Sequence, residues 1–246
     1  MPISGGAVAP KRIADVAAAA RILAARGVVD GFGHVSMRHP EAPDRYLMSR
    51  ALAPALVTPE DVVEYDLDSD ACNPDAPKGF LERFIHGQIY KARPDVCAVV
   101  HSHSPSVIPF GLTKAPMQAC FHNAAFLAQG VPVFDIAREH GATDMLVSDN
   151  DKGGALAACL SDKPVALMRA HGSVACGPSL EVAVFRAVYT EVSARVQHWA
   201  LALAEDGEEL ASLSKEEGHL ADGPNQTAGL RAWDLWRAEI RDQAGW

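Results

Sequence analysis

VCAVVHSHS, residues 96–104, runs five apolar residues straight into two histidines spaced one residue apart. An apolar run this short, followed by a polar end, reads as a central strand of a sheet. Side chains alternate along a strand, so His101 and His103 share one face. Neutral imidazole binds zinc, manganese and similar ions, and two side by side chelate one ion well. Two solvated histidines at a strand end would show the same pattern, and the motif alone does not separate the two readings.

Working upstream, LERFIHGQIYKARPD (residues 81–95) reads as a helix ended by Pro94, with Glu82 at its start among apolar neighbours. A carboxylate there either serves chemistry or simply favours a helix N-terminus. Residues 11–26 read as a helix with Ile13, Val16, Ala20 and Leu23 on one face and Gly27 as its stop. GFGHVSMR (residues 31–38) is a turn into a strand, RYLMSR (residues 45–50) a second strand, and Val62 to Leu67 a third. SDACNPDAPKG (residues 69–79) is a surface loop.

Downstream, VPVFDI (residues 131–136) and VALMRAHG (residues 165–172) read as strands, the latter ending in His171 before a glycine. His171 is a third candidate ligand or an ordinary turn histidine. DNDKGG (residues 149–154) reads as a turn before a helix. Ser179 can cap a long helix whose apolar stripe is Val182, Phe185, Tyr189, Val192, Val196, Trp199 and Leu203, with Tyr189 and Trp199 expected in the core. After Glu205 the chain is polar until LRAWDLWRAEI (residues 230–240). Its Trp233 and Trp236 suggest that the tail, residues 206–246, docks at a subunit interface. The whole chain, residues 1–246, reads as one α/β domain.

The formal net charge of −9 is the wrong sign for neutralising phosphates, which excludes nucleic acid and anionic membrane as partners. Five cysteines, an odd number without a C-x-x-C pair, fit buried thiols in a reducing compartment. No secretion signal and no membrane-spanning run is read, so a cytoplasmic protein is expected.

The combination resembles the class II aldolase/adducin family. GHVSMR, then LERFIHGQIYKARPDVCAVVHSHS, then ALMRAHGSVACG before a long helix follow that family's order, from about residue 12 to about residue 205. The resemblance implies a central, mostly antiparallel sheet flanked by helices. It also implies one divalent metal ion per subunit held by His101, His103 and His171, with Glu82 as ligand or acid/base. Mn2+ or Zn2+ suits such a set, and Co2+ or Fe2+ is admissible. It further implies a homotetramer with active sites between subunits.

Three places depart from the family's sugar-phosphate aldolases. His34 replaces the asparagine of G-N-V-S, Ser49-Arg50-Ala51 replaces a T-G or S-G turn, and Phe80-Leu81 replaces a serine pair before Glu82. A phosphate dianion would lose donors and face a dry wall. The replacements suit a flat carboxylate substrate instead. Phe80 would pack on a ring or simply on the core. Arg50 would clamp a carboxylate or lie at the surface, and His34 would donate to an oxygen. His122, in CFHNAAF, falls where the family has active-site residues, or in the core. The sequence looks most like the family's decarboxylases of hydroxylated aromatic or pyridine dicarboxylates. An aldolase for an unphosphorylated keto or hydroxy acid is the alternative. A non-catalytic adducin-like binding head would be expected to have lost the ligands.

Overall fold

Seven strands form in the computed structural model, which describes residues 1–205 and 207–244: β1 (His34–Arg38), β2 (Arg45–Ser49), β3 (Val62–Asp66), β4 (Ala98–Ser102), β5 (Val133–Phe134), β6 (Val165–Met168) and β7 (Gly172–Gly177). They pair into one sheet in the order β3-β2-β1-β4-β7-β6-β5. All neighbours are antiparallel except the edge pair β5 and β6.

Period-two alternation sorts the strand side chains into two cores. Val35, Met37, Ala98, Val100, Leu167 and Ala175 pack on one side with α1 (Pro10–Ala25) and α5 (Leu180–Leu203). Tyr46, Met48, Val99, Ala166, Val174 and Cys176 pack on the other with α2 (Phe84–Ala92) and α4 (Asn150–Leu160). Each fully buried aliphatic side chain contributes about 1.5–3 kcal/mol, which makes this three-layer sandwich a rigid support. The result is one α/β domain with a mostly antiparallel sheet.

Helix starts follow the caps. Ser179 Oγ accepts the Val182 N–H at 3.2 Å, and Asp149 Oδ1 accepts the Lys152 N–H at 2.9 Å. The short α3 (Ile136–His140) replaces the second half of the strand expected over residues 131–136. Asp135 is the reason, since its side chain accepts the Ala137 N–H and starts a helix there.

β7 is a strand that the sequence reading, which ends the strand at VALMRAHG, passes over. It is the central neighbour of β4 and buried throughout. On α5, Trp199 is 64% exposed and Leu203 86%, so the outer part of the apolar stripe leaves the core, contrary to expectation for Trp199.

The tail is more than a short amphipathic segment. α6 (Lys215–Ala244) is a 30-residue helix packed against the rest of the chain, with Trp233, Trp236 and Ile240 buried against the α1/α5 core. Arg237 pairs with the buried Asp15, and Arg26 with Glu239. Pro224 and several glycines hide this helix, because they lower local helix propensity. Two of those glycines are needed for contact. A Cβ on Gly218 would strike Ala128, and one on Gly229 would meet the Phe185 ring at 2.9 Å.

Candidate metal centre

β4 carries His101 into the centre of the sheet, where its Cα pairs with His34 on β1 and with Val174 on β7. The strand ends at Ser102, so His103 stands one residue beyond it. His171 comes from the tight β6–β7 connection. Ala170 adopts φ +54° there, a left-handed conformation that costs an L-residue about 1–2 kcal/mol. Gly172 lets the turn close, because any Cβ at that position would collide with the Ser102 carbonyl oxygen. Glu82 sits in the turn just before α2 rather than in the helix.

These four side chains meet. His103 Nε2 lies 3.1 Å from His101 Nε2 and 3.0 Å from His171 Nε2. Glu82 Oε2 lies 3.3 Å from His171 Nε2 and 3.6 Å from His101 Nε2. One ligand atom from each residue falls within 4.8 Å of all the others. His101 is fully buried and Glu82 is 6% exposed.

The donor set suits a cation. His101 Nδ1 is 3.1 Å from the Ser173 carbonyl and His171 Nδ1 is 3.0 Å from the Met145 carbonyl. A carbonyl only accepts, so in the neutral rings both Nδ1 atoms carry the proton and both Nε2 atoms present lone pairs. His103 Nε2 faces two lone pairs and has at most one proton to offer. A divalent ion satisfies all three nitrogens and the carboxylate together, so this Glu/His cluster could hold a metal.

The electrostatics agree. Burial, then the nearby His101 and His171, push His103 down to about 4. His171 is raised: burial pulls it down, but the Glu82 carboxylate outweighs that. Burial alone would raise Glu82, yet the neighbouring His101 and His171 imidazoles hold it below the usual carboxylate range. Glu82 Oε1 is fixed separately, accepting the Val147 N–H at 2.9 Å.

The centre opens on a cleft of about 640 Å³ whose wall is mostly apolar, with Phe32, Leu52, Phe80, Leu81 and Leu146 beside His34, Glu82, His101 and His103. Phe80 packs on His34 with ring centroids 4.7 Å apart. Burial first, then His86 and His101, push His34 well below the ordinary imidazole value.

Other expected site residues lie elsewhere. Ser49 is buried on β2, and Arg50 is held by Asp61, Nε to Oδ1 at 2.6 Å; neither lines the cleft. His122 is exposed on a 3-10 segment (His122–Gln129), where its carbonyl accepts from Asn225 Nδ2 under α6. The cleft has a cation that sequence reasoning missed, Lys78, which has no ion-pair partner among the described residues. Its position in the loop before Phe80 was the available signal. His86 was missed as well.

Residues 14–198 match the family described as Class II Aldolase and Adducin N-terminal domain. The chain is 37% identical to Decarboxylase tropJ of Talaromyces stipitatus, over 89% of this chain and 90% of that protein. It is 31% identical to a 3,4-dihydroxyphthalate decarboxylase of Terrabacter sp., over 97% of this chain and 98% of that one. Among solved structures, an aldolase II superfamily protein from Pseudomonas syringae superposes with a TM-score of 0.78. That match covers 95% of this chain and 93% of the other at 21% identity, a likeness of fold.

Proposed function

The chain belongs to the class II aldolase and adducin family, and from that premise we propose a metal-dependent decarboxylase acting on a hydroxylated aromatic or pyridine dicarboxylate. The decarboxylase-named relatives support a carboxy-lyase. The observation that carries the reading is the convergence of three imidazoles and Glu82 at the wall of an apolar cleft.

His101, His103, His171 and Glu82 would hold the ion, Mn2+ or Zn2+ by donor type, with Co2+ or Fe2+ also accepted. Bound there, it would supply Lewis acidity toward a substrate oxygen.

The chain's own residues do the rest. Phe80, packed at a tilt against His34, offers an apolar face to a ring, and Leu52 and Leu146 exclude water from it. Lys78 faces a second carboxylate at the rim. As the C–CO2 bond breaks, CO2 leaves, the bond's electron pair stays on the ring carbon, and a solvent proton relayed by the Glu82 carboxylate adds to that carbon. Apolar walls at positions 80 and 81 disfavour a phosphate, which separates this reading from a sugar-phosphate aldolase. The complete ligand set disfavours a non-catalytic binding head.

The reading extends to a homotetramer with sites at subunit interfaces. Phe32 (68% exposed) and Leu81 (57%) rim the cleft, while Trp199, Leu203 and Leu235 stand exposed on α5 and α6. A sedimentation measurement returning a monomer removes that part. Five free cysteines fit a cytoplasmic enzyme. No helix of the described residues is long and apolar enough to cross a membrane.

The test is a CO2-release screen over hydroxylated phthalates and pyridine dicarboxylates with the metal-loaded protein. CO2 and a decarboxylated ring support the proposal. Two carbonyl fragments from a keto acid, without CO2, would instead establish the aldolase alternative.

A further inference from the structure

His34 is the outer end of a buried chain of hydrogen bonds. His34 Nδ1 lies 2.6 Å from His86 Nε2, His86 Nδ1 lies 2.6 Å from Ser36 Oγ, and Ser36 Oγ lies 2.7 Å from Tyr90 Oη. All four side chains are buried, Ser36 and His86 completely. The arrangement follows from two periodicities. His34 and Ser36 are two apart on β1 and share a face, while His86 and Tyr90 are four apart on α2 and share a face.

Neutral rings allow two senses for the imidazole protons in this chain. In one, His34 Nδ1–H donates to His86, His86 Nδ1–H donates to Ser36, and Ser36 donates to Tyr90. The Tyr90 hydroxyl then has a proton and nowhere to put it; if Tyr90 donates to Ser36 instead, the Ser36 proton is stranded, because neither hydroxyl has another acceptor among the described residues. A buried donor without an acceptor is strongly disfavoured. In the other sense Tyr90 donates to Ser36, Ser36 to His86 Nδ1, and His86 Nε2–H to His34 Nδ1. Every donor inside the chain is then satisfied. The one proton left over sits on His34 Nε2, which has no partner in the chain and belongs to a ring lining the cleft.

We propose that His86, backed by Ser36 and Tyr90, is a positioning residue that locks His34 with its proton on Nε2, so that His34 presents a fixed donor to an anionic oxygen in the cleft. The ligand class is a carboxylate or phenolate beside the metal centre; a group that offers its own proton at that point is rejected. The consequence for substrate rests on the proposed decarboxylase reading, whereas the tautomer does not.

The test is 15N NMR of the zinc-loaded protein carrying imidazole-labelled histidine, with His34 and His86 assigned by substitution. Both rings should show the Nε2–H pattern, with a coupling across the hydrogen bond from His86 Nε2 to His34 Nδ1. An Nδ1–H pattern for either ring overturns the proposal, whatever the enzyme's activity. In kinetics, His86→Leu should raise KM for a carboxylate substrate about tenfold. His86→Gln, whose amide can still donate to His34, should stay within about twofold of wild type. Equal losses in a folded Leu and Gln pair also overturn it. Should the tautomers be as stated while no carboxylate is turned over, the lock stands and the substrate reading falls.

Discussion

His103 Nε2 lies 3.0 Å from His171 Nε2 although 68 residues separate them in the chain. His171 and His101 both have their other nitrogen committed to a carbonyl, so two lone pairs converge on His103 Nε2, which has at most one proton for them. His103→Ala should therefore leave the fold intact and cut metal affinity by at least about 100-fold. Equilibrium dialysis against zinc measures this, and an unchanged stoichiometry and affinity would remove His103 from the ligand set.

Glu82 is anchored on one oxygen and faces the imidazoles with the other. Glu82→Gln keeps an oxygen for the Val147 N–H and loses the charge and the proton-carrying group. The three imidazoles should still hold metal, with weaker affinity, while kcat at saturating metal falls about 100-fold or more. Turnover near wild type, measured on metal-loaded variant, removes Glu82 from the proton-transfer role.

Gly172 faces the Ser102 carbonyl, with His103 Cα 3.2 Å from where a Cβ would be. Gly172→Ala forces β7 away from β4 at the point where two ligands are set. The cost should be about 3 kcal/mol, a loss of several degrees in Tm. A melting curve superimposable on wild type would show that the close approach is not required.

Lys78 is free at the cleft and Arg50 is occupied by Asp61. Lys78→Ala should raise KM for a dicarboxylate about two- to fivefold relative to the matching monocarboxylate, the scale of an exposed ion pair. Arg50→Ala should change both KM values equally. The reverse pattern would show that Arg50 leaves Asp61 to clamp the substrate.

What the sequence discloses and what it hides have separate physical causes. The stretch at residues 96–104 marks the central strand because a buried strand must be apolar, and Ser179 marks α5 because a cap is a local bond. HSH and HG mark the imidazoles that the fold gathers, since each sits at a strand end. β7 is obscured because GSVACG is made of small residues between glycines and draws its stability from its neighbours. α6 is obscured because Pro224 and its glycines read as breaks, whereas its packing on α1 and α5 is tertiary. The chain from His34 to Tyr90 depends on how β1 lies against α2, and the pairing of Arg50 with Asp61 on the β2/β3 connection; neither is a pattern along the sequence. His122 rests on resemblance alone, and it stands exposed on the 3-10 segment, where its carbonyl accepts from Asn225 of α6.

The most direct measurement is CO2 release from a dihydroxyphthalate by chelator-stripped protein as a divalent metal is titrated back. The account predicts no release at the start and a rise that saturates at one ion per subunit, with no recovery in His101→Ala. Full release from the stripped protein, or equal recovery in His101→Ala, would contradict it.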